Sequence, residues 1–273
     1  MSYDAAVALD FFQSAGKTTH IAKGSVIFAE KDAERRLPFQ QSKTKIYLLL
    51  DGEVTLVAAT RPIGGVRKGE IFGEMAAITH EPRSASAMAT TDCSVIALTD
   101  AEFVAALEKK PAFALMLMSL MIGRLRDTIA RLTVNGALTQ QEEVKESAAF
   151  DPERITELVN GLSDDPPVYY QRGQQIMSEG QRALRMYAVI EGRVAISIGT
   201  RVVERLGPGG AFGEAALVDQ SPRLASAVAE SDCRLLPITR QAFLTLVKVS
   251  PQFARSTLSS LASRLRYLTE RLK

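Results

Sequence analysis

The chain has no tryptophan, two cysteines and only two histidines among 273 residues. His20 and His80 stand at no metal-ligand spacing, and the second half of the chain has no histidine at all. The clustered imidazoles of a zinc or iron centre are therefore missing, and no metal is expected. Cys93 and Cys233 each lie inside a strand-like apolar run, so they read as reduced core thiols and not as a disulfide framework. Long apolar runs are also wanting. The longest, residues 112–123, is too short to span a bilayer. The N-terminus lacks the basic region of a signal peptide, so no membrane partner and a cytoplasmic location are expected. A net charge of +2 without a long basic run gives no general attraction to nucleic acid. Gly16-Lys17-Thr18 imitates the end of a triphosphate-binding loop, but Phe11 stands where the leading glycine belongs.

What the chain does have is a repeat. Phe72-Gly73-Glu74-Met75-Ala76 and Pro82-Arg83-Ser84-Ala85-Ser86-Ala87 return as Phe212-Gly213-Glu214-Ala215-Ala216 and Pro222-Arg223-Leu224-Ala225-Ser226-Ala227. The offset is 140 throughout, and it also relates Tyr47 to Tyr187, Gly52 to Gly192, Cys93 to Cys233 and Pro111 to Pro251. From Tyr47 onward about a third of the aligned positions are identical, which argues duplication. Upstream the offset becomes 149 (Gly24 to Gly173), so the first copy carries nine extra residues before Tyr47. That stretch holds Glu30, Lys31, Asp32, Glu34, Arg35 and Arg36 and reads as a solvated loop extension or a partner contact.

Each copy begins with short apolar runs between glycine turns, the pattern of a small β-barrel or jelly roll. Each ends in helices, with Thr99 and Thr239 opening a short one and Pro111 and Pro251 suiting the first turn of a longer one. Leu258, Leu261, Leu265, Leu268 and Leu272 step by three and four along the second long helix. Met118, Met121, Leu125, Thr128 and Leu132 match them in the first, so both long helices carry a coiled-coil seam. The fold class expected is mainly β with α: two jelly-roll barrels, each followed by a short helix and a long C-terminal one. Residues 1–140 form the first domain and 141–273 the second. Between the copies a polar stretch, 138–147, precedes a short helix over 151–161 and a loop at 163–167.

The repeated residues suit a sugar phosphate. Gly73 permits close backbone approach, helix N–H groups and Arg83 favour an anion, and Glu74 can accept a hydrogen bond from a ribose hydroxyl. One arginine and one carboxylate fit a singly charged cyclic ester better than a triphosphate. The pattern resembles the phosphate-binding cassette of cyclic nucleotide-binding domains, as found in the catabolite activator and in protein kinase A regulatory subunits. The likeness covers nearly the whole chain, twice. It implies Glu74 and Glu214 on ribose, Arg83 and Arg223 on the cyclic phosphate, and backbone contacts from Gly73, Met75, Gly213 and Ala215. It also implies Thr128 on the base of the first site, as the matching threonine does in the activator, and cyclic AMP or cyclic GMP as ligand.

The copies differ at two places. Ser84, able to reach phosphate or a guanine amine, becomes Leu224, and Thr128 becomes Leu268. The first site is therefore expected to be the better equipped, the second weaker, differently selective or empty. After the second long helix no DNA-reading helix follows, and Arg35-Arg36-Leu37-Pro38 does not form a kinase inhibitor segment. The expectation is a bacterial, stand-alone, non-enzymatic tandem receptor that signals to an effector protein without binding DNA. Its long helices pair within one chain as a pseudo-dimer, or between chains as a homodimer. A ligand-free interaction scaffold and a cyclic dinucleotide receptor, using Arg61 or Arg67, are the alternatives.

Overall fold

A computed structural model of the chain describes residues 3–31, 44–136, 146–147, 150–151, 153, 157, 165–182 and 184–271. The chain divides into two compact units, Tyr3–Met116 with Ala262–Lys273, and Leu117–Leu261 with Met1–Ser2. The division does not fall at the expected boundary near 140. Each unit contains one barrel and a stretch of the long helix that follows the other barrel in sequence.

The first module opens with α1 (Ala5–Gln13), whose N-terminal N–H groups at Ala6 and Val7 are accepted by the Asp4 carboxylate. This helix was not among the sequence expectations; Asp4 as N-cap ahead of the Phe11-Phe12 pair is the signal that marks it. Among the described residues eight strands follow: β1 (Lys17–Ile21), β2 (Val26–Phe28), β3 (Lys45–Asp51), β4 (Val54–Ala58), β5 (Arg61–Val66), β6 (Ile71–Phe72), β7 (Ser86–Ala89) and β8 (Cys93–Thr99). A short helix, α2 (Glu74–Thr79), interrupts them between β6 and β7. The strands form two antiparallel sheets ordered β1-β8-β3-β6 and β2-β7-β4-β5, the connectivity of a jelly roll. Leu49, Phe72 and Val95 from one sheet and Val54, Val66, Ala87 and Ala89 from the other meet in a single core with Cys93. Then come α3 (Asp100–Lys109), closed at its start by a Thr99–Glu102 capping box, and the long α4 (Ala112–Val134).

The second module repeats this plan with β10 (Val168–Tyr170), β11 (Gln175–Met177), β12 (Arg185–Glu191), β13 (Val194–Ile198), β14 (Arg201–Leu206), β15 (Ala211–Phe212), α5 (Ala215–Asp219), β16 (Ser226–Ala229), β17 (Cys233–Thr239), α6 (Arg240–Val249) and α7 (Pro251–Glu270). Even the irregularities recur. The register slips between Leu49 and Asp51 in one barrel and between Val189 and Glu191 in the other. One element is new: β9 (Glu146–Ser147), from the stretch expected to be a linker, pairs in parallel with β14 at the edge of the second barrel. The expected helix over 151–161 lies largely outside the described residues, with Glu153 and Glu157 helical.

The nine extra residues fall between β2 and β3, as the change of offset predicts. Asp32, Glu34, Arg35 and Arg36 lie outside the described residues. Glu30 has a structural task, since its carboxylate accepts the Ala59 N–H at 2.8 Å. Glu179 does the same for Gly199 at 2.8 Å in the second barrel. Among the described residues no helix is long and apolar enough to cross a membrane. Cys93 and Cys233 are buried and unbridged.

Gly52 shows how tightly a turn is built. It sits at φ 94°, and a Cβ there would lie 2.5 Å from the Asp92 carbonyl and 2.7 Å from the Cys93 sulfur. Gly52→Ala should cost about 3 kcal/mol from left-handed strain plus overpacking, seen as a lower urea midpoint.

Candidate functional site

Strand β6 ends at Phe72, and Gly73 turns the chain into α2 at φ 75°. A Cβ at Gly73 would stand 3.0 Å from the Arg83 guanidinium and 3.2 Å from the Lys45 carbonyl, so the position is closed by packing as well as by backbone angle. Glu74 begins α2 and is buried to 2% exposure. At the far end of α2, His80 adopts a left-handed conformation (φ 57°) and turns the chain into the loop that carries Arg83.

Arg83 lies inside the barrel wall at 7% exposure. Nη1 donates to the Gly73 carbonyl at 2.6 Å and Nη2 to the Lys45 carbonyl at 2.9 Å. Its guanidinium also rests 4.1 Å above the Phe28 ring, a cation–π contact. Phe28, Tyr47 and Phe72 stack on one another with centroids 5.1–6.2 Å apart. Burial pushes the Tyr47 hydroxyl above its ordinary pKa, and the charge on Arg83 pulls it part of the way back.

The second barrel builds the same arrangement. Gly213 turns at φ 90°, Glu214 is buried, and Arg223 is 8% exposed. Nη1 of Arg223 donates to Gly213 at 2.9 Å and Nη2 to the Arg185 carbonyl at 2.6 Å. Desolvation lowers the Arg223 pKa, while Tyr187 and the Glu214 carboxylate beside it act in the opposite sense. A guanidinium stays protonated under such opposing pushes, so the second site too keeps a fixed cation. Met177 takes the place of Phe28, so the second arginine has no matching ring.

Residues 18–110 and 167–250 match the family model described as the cyclic nucleotide-binding domain. The chain belongs to the cyclic nucleotide-binding domain family. It is 27% identical over 202 residues to a cAMP-dependent protein kinase regulatory subunit of Eremothecium gossypii, covering 74% of this chain and 39% of that protein. It is 37% identical over 102 residues to the Cyclic AMP receptor protein of Thermus thermophilus, covering 36% of this chain and 47% of that protein. The chain thus spans less than half the length of both curated relatives. Among solved structures, the Thermus thermophilus catabolite activator protein is 31% identical, with 45% of this chain and 58% of that chain covered and a TM-score of 0.39.

Within each cyclic nucleotide-binding domain the structure brings the glycine, glutamate and arginine together, with Met75 half-buried and Ala215 buried just inside the short helices. Ser84 follows Arg83 in the first cassette and is half-buried. Leu268 belongs to the compact unit of the first barrel and Thr128 to that of the second. Arg126, two residues earlier, is bonded to the second cassette: Nε reaches Asp219 Oδ2 at 2.7 Å, and Nη2 reaches the Pro222 carbonyl at 3.0 Å. Phe28, Arg126 and Arg266 were not picked out from the sequence as site residues. The Arg126–Arg266 and Pro82–Pro222 matches at offset 140 are the signal that could have found the latter pair.

The histidines are both exposed, and among the described residues no group of three His, Cys, Asp or Glu could hold a metal ion.

Because the folded Tyr47 pKa is above its ordinary 10.0, the stability it contributes is whole below that pH and is lost as the pH rises through the folded value. Urea midpoints should therefore fall in alkali beyond about pH 10, and Tyr47→Phe should make that fall shallower.

Proposed function

We propose that the chain is a tandem cyclic nucleotide receptor, with cyclic AMP favoured over cyclic GMP and no catalytic step of its own. The observation that carries this reading is the duplicated constellation of buried arginine, buried glutamate and left-handed glycine, built on the same carbonyls in both barrels. In this reading Arg83 and Arg223 meet the cyclic phosphate, and Glu74 and Glu214 accept the ribose 2′-hydroxyl. Backbone N–H groups at Gly73, Met75, Gly213 and Ala215 complete the phosphate cradle. The preference for cyclic AMP is supported by the names of the two curated relatives.

The base would be covered by the long helix that shares a unit with each cassette. Ser84 and Leu268 share a unit with the first barrel, and Leu224 and Thr128 with the second. On this reading each site would keep one of the two variable polar residues, and the sites would rank more evenly than the sequence suggests. Ligand would favour one setting of the covering helix, and a partner protein would read the altered surface. The seam residues Met118, Met121, Leu125, Leu132, Leu258 and Leu261, all of one compact unit, are buried within a single chain, which supports closure without a second copy. Leu272 lies outside the described residues. Light scattering is expected to give the monomer mass of 29.7 kDa. A 2:1 mass would mean that copies associate.

Calorimetry on the wild type should show two binding events for cyclic AMP. Arg83→Ala should remove one and Arg223→Ala the other, each weakening its own site about 100-fold, near 2.7 kcal/mol. A thermal-shift panel of cyclic AMP, cyclic GMP and a cyclic dinucleotide ranks the ligands, since saturation at about 100 times Kd adds ~2.7 kcal/mol. No shift with any of them would favour the scaffold alternative, and recovery of hydrolysed nucleotide would overturn the absence of catalysis.

A further inference from the structure

Both cassettes are held by an arginine of a long helix, and in both cases that helix follows the other barrel in sequence. In the unit of the second barrel, Arg126 of α4 spans the cassette loop. Its Nε and Nη2 grip the Asp219 carboxylate at 2.7 and 3.2 Å, and Nη2 also donates to the Pro222 carbonyl at 3.0 Å. The pair is only 27% and 17% exposed at its two side chains, so the bond is shielded from solvent screening. Asp219 closes α5, and its Oδ1 also accepts the Ser221 N–H at 3.0 Å. Pro222 immediately precedes Arg223. One guanidinium therefore ties the end of the glutamate-bearing segment to the residue that sets the phosphate arginine.

In the unit of the first barrel the same task falls to Arg266 of α7. Its Nε lies 2.9 Å from Glu81 Oε2, and Nη1 donates to the Pro82 carbonyl, again the residue before the phosphate arginine. The helix adds Glu270, 3.4 Å from the same Nε. Arg126 and Arg266 match at offset 140, as do Pro222 and Pro82, but the carboxylates do not. Asp219 matches Thr79, and Glu81 matches Ser221. Two different acids thus complete one arrangement, which marks the arginine-to-carbonyl bond as its common part.

We propose that Arg126 and Arg266 are positioning residues that lock each cassette loop to the helix of the opposite copy. Occupancy of one phosphate arginine is then passed to the helix that leaves the other barrel, and the two sites are coupled through the continuity of α4 and α7. The ligand part of this inference rests on the cyclic nucleotide reading; the lock itself does not.

The test compares the full-length wild type with Arg126→Ala, Arg126→Lys, Arg266→Ala and Asp219→Asn. Without nucleotide, amide hydrogen exchange in Arg126→Ala should speed up at least about 10-fold in the loop 219–223 and in α4 near residue 126, with the loop 79–83 unchanged. Arg266→Ala should do the reverse. Asp219→Asn, which keeps the shape and the Ser221 acceptor, should show a smaller increase at the same amides and guards against a variant that merely unfolds. Equal exchange in wild type and Arg126→Ala, or loosening of the loop that follows the variant's own barrel, would overturn the lock. With cyclic AMP added, the wild type should protect α4 when Arg223 is engaged. Arg126→Ala should lose that protection and bind about 10-fold more weakly at the second site alone, and Arg126→Lys should recover it only in part. Unaltered ligand-induced protection of α4 in Arg126→Ala would sink the coupling. If the wild type binds no nucleotide, the receptor reading fails while the exchange data without ligand still decide the lock.

Discussion

Arg83 and Arg223 rest their guanidinium groups on backbone carbonyls of their barrels, and the site is organised around that contact. A buried cation is costly unless it is hydrogen-bonded. Gly73 with Lys45, and Gly213 with Arg185, supply the acceptors from two separated segments of each barrel. These carbonyls fix the place and orientation of each guanidinium. The contact also explains its surroundings. The glycine must lack a Cβ to let the guanidinium in, and β3 or β12 must begin beside the cassette to offer its carbonyl. The jelly-roll order that pairs β3 with β6, and β12 with β15, brings the two acceptors to one spot.

The duplicated barrels reach this result with different auxiliaries. The first adds Phe28 beneath the guanidinium as part of an aromatic stack; the second has Met177 there and only the Tyr187–Phe212 pair. A ring under a guanidinium contributes about 0.5–2 kcal/mol, enough to make the first arginine the more firmly seated. The cassette loops differ in the same manner, with Glu81 in one and Asp219 in the other bound to a helical arginine. The second barrel gains β9 at the edge beside β14, which satisfies backbone groups that the first barrel leaves on β5 among the described residues. Divergence has therefore worked on the supports while the arginine-to-carbonyl contact stayed the same.

Much of the fold was legible because its signals are local. The short apolar run in β3, the glycine turns at Gly52 and Gly192 and the threonine caps at Thr99 and Thr239 act within a few residues of themselves. The Gly73-Glu74 and Arg83 cassette was legible for the same reason, strengthened by its return at offset 140. The short α1 escaped notice because nine residues carry little periodic signal, and β9 because two residues carry none. Phe28 was missed because its role exists only across sheets.

The amino-acid sequence by itself determined the duplication, the two jelly rolls, the place of the nine extra residues and the spacing of glycine, glutamate and arginine in each cassette. Each of these follows from spacing along the chain. Only the tertiary structure decided which stretch of long helix shares a compact unit with which cassette. Residue spacing gives the length of α4 but not the direction it takes, and a helix about 34 Å long carries its far end to whatever its last turns pack against. Thr128 therefore follows the first barrel in sequence and belongs to the unit of the second in space.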